Sequence, residues 1–266
     1  MKRILILAAA VALSGCAVSQ QQEVQMGSQY AAQIAQQLPL ITDPEVVRYI
    51  NVLGDSLAHL TNRSDLDWHF YVVNSSEVNA FAVPGGYVYV NRGLIERANR
   101  MDELAGVLGH EIGHVVLRHT VKQMQQQQGA NIGVTLACVL TGVCSNPASS
   151  TAINVGANAL FAKFSRTDEA EADEQGFKNV VRAGISPEGL ITMFQTLIDE
   201  RKATPGAVDA WFATHPLEED RIADIQKMIN TLPQSELASL TRDTPNFHTF
   251  KNRLASLPVP PPTRSQ

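Results

Sequence analysis

The chain has 266 residues, 44% of them hydrophobic, and a formal net charge of −5 at pH 7. This length and composition are enough for one substantial core and do not require two domains. The acidic balance argues against a nucleic-acid-binding protein, which would present a basic stripe, so we expect no nucleic-acid partner.

The N-terminal segment has the features of a bacterial secretion signal. A short basic start precedes an apolar run, residues 4–13, that is too short to span a bilayer as a helix. We therefore expect residues 1–15 to be a signal peptide, whose removal takes away two basic residues and leaves 19 basic and 26 acidic ones. The segment Leu13–Cys16 resembles a lipobox, which implies that Cys16 is lipidated. The alternative is a secreted protein with a free cysteine near its start.

The predicted lipid on Cys16 indicates where in the cell the protein is expected to lie. Ala17 follows the cysteine, which in lipoproteins of this kind favours the outer membrane. No later apolar segment is long enough to span a bilayer, so we expect a domain on the periplasmic face of the bacterial outer membrane, tethered by its lipid. In an oxidising periplasm Cys138 and Cys144 can form a disulfide bond; the alternative is two buried thiols.

The first part of the mature chain predicts a flexible tether, two helices and a small sheet. One helix is predicted from Glu23 to Leu38, and a second begins at Asp43, which caps it, and extends to Leu60. The chain then becomes rich in β-branched and aromatic residues, and the turn Pro84–Gly86 predicts that the last two of three strands form a hairpin. The predicted strands are residues 68–74, 78–84 and 87–91.

The second part of the chain is predicted to be helical almost to its end. Residues 101–127 are expected to form one long helix. Residues 129–164 are apolar and small with several glycines, and their first half is a candidate mobile loop or lid; residues 204–216 are expected to be an irregular, exposed loop. Further helices are predicted at residues 165–183, 186–202 and 216–231.

The segment "LGHEIGHVVLRH", residues 108–119, carries the clearest chemical signal. His110 and His114 lie four residues apart, so one helical face can present both imidazoles to a single zinc ion. Glu111 follows the first histidine and is placed beside the metal, where a general base would take a proton from water. The apolar neighbours predict a buried helix, and burying these three side chains without partners would be costly.

Two histidines do not complete a catalytic zinc site. The third-histidine pattern is excluded because the required position is Thr120, and His119 is expected to be a surface or structural residue. In "FSRTDEAEADEQG", Glu169 and Asp173 lie four residues apart on one helical face. One can coordinate zinc and the other can accept a hydrogen bond from a ligand histidine, whereas Glu171 is expected to point elsewhere.

Four motifs in this order resemble metallopeptidase family forty-eight, the gluzincins that include HtpX-type proteases and CAAX prenyl endopeptidases. The absence of spanning helices favours its periplasmic branch, of the BepA and LoiP kind. The motifs are "NAFAVPGGYVYVNRGL" (79–94), "HEIGH" (110–114), "SRTDEAEAD" (165–173) and "HPLEEDR" (215–221).

The resemblance implies an α+β, mainly helical zincin-like metalloprotease domain with a small sheet or hairpin beside the active-site helix. It implies one zinc ion per chain, with His110, His114 and Glu169 as its ligands, Glu111 as the general base, and Asp173 holding a ligand histidine from behind.

The two outer motifs then acquire expected roles. The strand that begins at Asn79, Ala80 and Phe81 is expected to present an edge that pairs with an extended peptide substrate. His215 can donate to the oxyanion of the transition state, fill the open zinc position at rest, or cap the following helix. Arg221 is expected to pair with an active-site carboxylate.

These expectations combine into one domain plan. Residues 16–23 are a lipidated tether, residues 24–256 are a single zinc metallopeptidase domain, and residues 257–266 are a disordered proline-rich tail. The predicted function is cleavage of unfolded or misassembled envelope polypeptides, with the outer-membrane assembly machinery as a candidate partner. The alternative is a chaperone-like or scaffolding lipoprotein that helps outer-membrane proteins assemble and cleaves little.

Overall fold

The fold combines helices with one small sheet. The computed structural model describes residues 18–63, 65–128, 163–216 and 219–259. The predicted signal peptide, Cys16, Cys138, Cys144 and the candidate lid lie outside the described residues. Within the described residues, no helix combines the length and the apolar character needed to cross a membrane.

The described elements confirm the predicted α+β, mainly helical class. The helices are α1 (Gln20–Gln37), α2 (Pro44–Ala58), α3 (Arg92–Arg97), α4 (Met101–Val116), α5 (His119–Gln128), α6 (Arg166–Arg182), α7 (Glu188–Ala203), α8 (Asp209–Thr214), α9 (Glu219–Ile229), α10 (Gln234–Ser239) and α11 (Pro245–Ser256). The strands are β1 (His69–Val73), β2 (Ala80–Val83) and β3 (Tyr87–Asn91).

The three strands form one sheet in the order β1-β3-β2. The predicted hairpin is confirmed, because β2 and β3 pair antiparallel with Ala80 opposite Val90. The turn uses Gly85 and Gly86, whose φ angles of 84° and 97° are favourable only for glycine. Strand β1 pairs parallel with β3 on the other side.

The two faces of the sheet pack into two different cores, as the period of two along a strand requires. On one face, Phe70 and Val88 belong to the main core, which lies around α2, α4 and the helices that follow. On the other face, Tyr89 and Phe81 pack against Tyr30 of α1. Helix α4 is buried along its whole length and is therefore the central element of the fold.

The prediction of one long helix over residues 101–127 is wrong. Helix α4 ends at Val116 and α5 begins at His119, because Arg118 adopts a left-handed conformation with φ of 59°. The Arg118 side chain is held in place, since it lies 2.8 Å from a carboxylate oxygen of Glu23 and donates a hydrogen bond of 2.6 Å to the carbonyl of Val18.

The N-terminal helix begins before its predicted start. Ser19 caps α1 through a capping box with Gln22, so residues 20–23 are helical and not part of a flexible tether. Glu23 is 1% exposed, so this end of α1 is packed onto the domain.

The predicted irregular, exposed loop at 204–216 is also wrong in part. It contains α8, a helix of six residues, and Trp211 within it is fully buried. A helix this short has too few residues to show an apolar period, and the burial of one large aromatic ring stabilises it instead.

Candidate active site

Helices α4 and α6 share one site because glycines allow their backbones to approach closely. A Cβ atom added at Gly113 would lie 2.8 Å from the carbonyl oxygen of Ala172, and one at Gly176 would lie 3.0 Å from the backbone of Gly109. Any larger residue would push the helices apart. The close contact places the first turns of α6 directly against the histidines of α4.

Four buried side chains converge at this contact, three of them the predicted metal ligands. His110 Nε2 lies 3.0 Å from His114 Nε2 and 3.6 Å from Glu169 Oε2, and His114 Nε2 lies 3.4 Å from Glu169 Oε1. His215, which ends α8, places Nδ1 3.3 Å from His110 Nε2 and 3.1 Å from Glu169 Oε1. The four ligand atoms lie within 4.8 Å of one another, an arrangement that can hold a metal ion.

Glu111 lies beside this group, as its position after His110 predicts. Its Oε1 atom is buried and has no hydrogen-bond partner among the described residues, although His215 Nε2 lies 3.4 Å away. Burial raises the pKa of the Glu111 carboxyl above its usual value. A buried carboxylate oxygen without a donor needs a partner that the described residues do not supply.

Asp173 and Arg221 contact the predicted metal ligands on the side away from the point where the four ligand atoms meet. Asp173 Oδ1 lies 2.8 Å from His110 Nδ1, and Arg221 donates both to Asp173 Oδ2 at 2.7 Å and to Glu169 Oε2 at 2.5 Å. Burial would raise the pKa of Asp173, but the charge of Arg221 holds it below its usual value. Burial would likewise raise the pKa of Glu169, but the charge of His215 and hydrogen bonds from His114 and His215 hold it well below.

His119 belongs to the site, although the sequence placed it at the surface or in a structural role. It is 1% exposed, and its Nδ1 lies 3.0 Å from Nδ1 of His114. Its Nε2 lies 3.1 Å from Oε2 of Glu171, the residue expected to point elsewhere. The turn at Arg118 moves His119 off the regular helical position, so helical spacing does not reveal this contact.

Two aromatic rings that the sequence analysis missed line the site. Phe164 stacks on His114 with ring centroids 4.0 Å apart, and Trp211 stacks on His215 at 4.6 Å. Trp211 lies four residues before His215, one helical turn away, which is the signal that would have found it. The apolar surroundings have an electrostatic effect, since burial lowers the pKa of His114 well below its usual value.

The strand predicted to bind substrate lies next to α4. Among the described residues, β2 is an edge strand, because the sheet order is β1-β3-β2. The side chains of Ala80 and Phe81 are buried, and Phe81 stacks on Tyr89 at 4.9 Å. The side-chain oxygen of Asn79 is buried without a hydrogen-bond partner among the described residues. All four residues of β2 are buried, so this edge is covered in the structure.

Comparison with known proteins identifies similar chains. Residues 44–229, more than half of the chain, match peptidase family M48. The β-barrel assembly-enhancing protease of Escherichia coli K12 is 33% identical over 226 residues, which cover 82% of this chain and 46% of that protein.

Two other relatives from Escherichia coli K12 are similar over most of their length. The metalloprotease YcaL is 30% identical over 222 residues, covering 84% of this chain and 80% of the relative. The metalloprotease LoiP is 31% identical over 182 residues, which cover 68% of this chain and 70% of the relative. The chain spans about half the length of the β-barrel assembly-enhancing proteases that it matches. The chain belongs to peptidase family M48 and carries a metalloendopeptidase domain.

Proposed function

We propose that this protein is a zinc-dependent endopeptidase that is held at the outer membrane by a lipid on Cys16 and cleaves misfolded or misassembled envelope proteins. The observation that carries the proposal is the convergence of His110, His114, Glu169 and His215 on one buried point, with Glu111 beside it. A chaperone-like or scaffolding lipoprotein, the alternative, has no need of a carboxylate in that position.

The donor set and its spacing fit zinc. Ligands about 2.0–2.1 Å from a tetrahedral zinc ion lie roughly 3.3 Å from one another. The separations of His110 from His114, Glu169 and His215, and of Glu169 from His114 and His215, range from 3.0 to 3.6 Å when the nearer Glu169 oxygen is taken. Nitrogen and carboxylate donors are the ligands that catalytic zinc uses. Two imidazole nitrogens at 3.0 Å also require a proton or a cation between them.

The chain supplies the remaining parts of a hydrolytic mechanism. A zinc ion bound there would polarise the scissile carbonyl and lower the pKa of a water molecule. Glu111 accepts a proton from the attacking water and returns it to the leaving amine nitrogen. Burial raises the pKa of Glu111, which makes its carboxylate a stronger base. Asp173 and Arg221 keep His110 and Glu169 oriented throughout.

We infer that His215 fills the position that a water molecule needs and so closes the site at rest. Its Nδ1 atom lies at the fourth corner of the ligand group, 3.3 Å from His110 Nε2. The alternative role, donation to the oxyanion, requires the ring to lie beside this corner and not on it. Cleavage then needs a displacement of α8, whose flanking segment includes Gly206 with φ of 91°.

The substrate is proposed to be an extended polypeptide. Strand β2 is an edge strand among the described residues, and its residues are buried, so substrate pairing would first require this edge to be uncovered. Backbone hydrogen bonds formed there would be independent of side-chain sequence, which suits a protease acting on many unfolded proteins. One relative is named a β-barrel assembly-enhancing protease, which supports a link to β-barrel assembly. Envelope proteins as the substrate class and the outer-membrane assembly machinery as a partner are part of our proposal.

The substitution Glu111→Gln tests the enzymatic proposal. It keeps the size of the side chain but removes the base, so casein cleavage should fall by at least about a hundredfold. Zinc content should stay near one ion per chain. Glu174→Gln, at an exposed position on α6, is the matched control and should cleave at the wild-type rate. Wild-type cleavage by Glu111→Gln would exclude the mechanism and favour the scaffolding role.

The substitution His215→Ala separates the two roles of this residue by the sign of the effect. Removal of a blocking ligand should raise the casein cleavage rate at matched zinc content, which is the expected result. Loss of an oxyanion donor would lower the rate by about a hundredfold or more. An unchanged rate would leave His215 with the role of a helix cap.

A further inference from the structure

The two histidines of α4 each make a contact through Nδ1, the nitrogen that faces away from the predicted metal position, but their partners differ. His110 presents Nδ1 to the carboxylate of Asp173 at 2.8 Å. His114 presents Nδ1 to another imidazole, that of His119, at 3.0 Å, and the far side of that ring lies 3.1 Å from Glu171. The motif of residues 165–173 assigns Asp173 to this contact, whereas none of the four motifs assigns a role to His119.

We propose that His119 is a positioning residue that fixes the ring orientation and tautomer of His114 through a chain of hydrogen bonds from His114 to His119 to Glu171. The inference rests on the proposed zinc site, since it concerns the readiness of His114 to bind the ion. Groups that hold a ligand histidine in this way typically change metal affinity by about 10–100-fold when they are removed.

The directions of the hydrogen bonds follow from the geometry. His114 points Nε2 at His110 and Glu169, so this nitrogen must carry a lone pair when a metal ion binds. The proton of the neutral ring is then on Nδ1, which donates to Nδ1 of His119. That nitrogen of His119 must be the acceptor, so the proton of His119 is on Nε2, which donates to Oε2 of Glu171.

The fold holds both rings in this arrangement. Arg118 has φ of 59°, and this turn carries His119 back onto the end of α4. Glu23 fixes Arg118 through an ion pair of 2.8 Å. On His114 itself, Phe164 stacks at 4.0 Å with the ring planes 25° apart, so the imidazole is confined by both contacts.

A second metal ion is the competing interpretation of the same atoms. His119, Asp168 and Glu171 also have ligand atoms close enough to hold a cation. Asp168 accepts hydrogen bonds from the backbone and hydroxyl of Ser165 through Oδ2, as part of the cap of α6, and only its Oδ1 faces His119, 3.6 Å from Nε2. Glu171 is 46% exposed, and His119 has one nitrogen committed to His114. We therefore favour a hydrogen-bond chain at this position.

The decisive experiment compares His119→Asn with His119→Gln. The side-chain oxygen of asparagine reaches the position of Nδ1 and can accept from His114, whereas glutamine reaches the position of Nε2 and keeps only the contact with Glu171. Both variants are polar and similar in size, so general damage to folding should affect them alike. His69→Gln, in β1 outside the site, is the control for the chemical change.

The measurement is the zinc dissociation constant of each full-length mature protein, from competition with a chelator of known affinity, together with the number of zinc ions bound. We expect His119→Gln to weaken zinc binding by about 10–100-fold, and His119→Asn to stay within about threefold of wild type. The unfolding midpoints of the metal-free proteins show whether both variants fold. Casein cleavage at saturating zinc should recover in both.

Each other result overturns the inference in a distinguishable way. Equal zinc affinity in His119→Gln and wild type would show that the contact does not position His114. Equal weakening in both variants would show that ring packing matters and the acceptor does not. Two zinc ions in wild type, with one lost on substitution of His119, would establish a second metal site. Absence of zinc from wild type would reject the proposed function itself.

Discussion

Two buried clusters of charged side chains differ in their charge balance. The active-site cluster contains the carboxylates of Glu111, Glu169 and Asp173 and the guanidinium of Arg221, so it has a formal charge of −2 when its histidines are neutral. Each of these four side chains is at most 7% exposed, so water has almost no access to them.

The second cluster surrounds Glu23 and is formally neutral. Glu23 lies 3.4 Å from Arg63 and 2.8 Å from Arg118, and Asp65 lies 3.4 Å from Arg63. The negative charges of two carboxylates are therefore balanced by the positive charges of two guanidinium groups. The exposed fraction of the Arg118 side chain is 34%, so water also reaches this cluster.

The difference indicates which cluster is built for a ligand. An unpaired buried charge costs several kcal/mol, and a divalent cation would offset the charge of −2 in the active-site cluster. Burial lowers the pKa of His215, but the charges of Glu111 and Glu169 raise it above its usual value, which favours the protonated ring in the metal-free protein. The Glu23 cluster needs no further charge and serves the fold.

The largest expected effect on stability comes from Arg221→Leu. It leaves Glu169 and Asp173 buried without their cation, so the free energy of unfolding of the metal-free protein should fall by about 3–5 kcal/mol. Urea unfolding measures this loss. Arg253→Leu, which removes an exposed ion pair with Asp43, should have a much smaller effect, and an equal effect would contradict the argument.

Zinc should stabilise the protein through the active-site cluster alone. At a free zinc concentration about 100 times the dissociation constant, the free energy of unfolding should rise by about 2.7 kcal/mol, and a chelator should reverse the gain. Glu169→Gln should abolish the gain, whereas Arg253→Leu, which removes an exposed ion pair away from the site, should keep it. An equal gain in wild type and Glu169→Gln would show that zinc binds elsewhere.

The smallest of the three effects is expected for Glu23→Gln. It leaves Arg63 and Arg118 without their shared carboxylate, and because Arg118 can turn toward water the loss should be about 2 kcal/mol. Urea unfolding of the metal-free protein measures the loss. Casein cleavage at saturating zinc should be unchanged, which separates this cluster from the active-site cluster.

The parts of the site that the sequence predicted depend on spacing within one helix. His110 and His114, like Glu169 and Asp173, lie four residues apart, and the helical period alone places each pair on one face. Both pairs meet in the structure as expected. Their roles as ligands and partners remain predictions until metal is measured.

The parts that the sequence did not predict depend on contacts between distant segments. His119 reaches His114 only because Arg118 is left-handed, and that conformation is held by Glu23 on a different helix. Helix α8 forms around the buried ring of Trp211, and a six-residue helix gives no periodic signal. Local propensity does not contain this information, since tertiary packing decides both conformations.

The early start of α1 has a consequence for the proposed lipid anchor, because it would limit how far the domain can move from a membrane. Val18 is buried, with only 6% of its surface exposed, and its carbonyl accepts a hydrogen bond from Arg118. If Cys16 carries the lipid, only Ala17 separates the anchor from the packed Val18, and these two residue steps reach about 7 Å even when fully extended. The domain would then work against the bilayer surface, and only polypeptides emerging from or lying on that surface would come within its range.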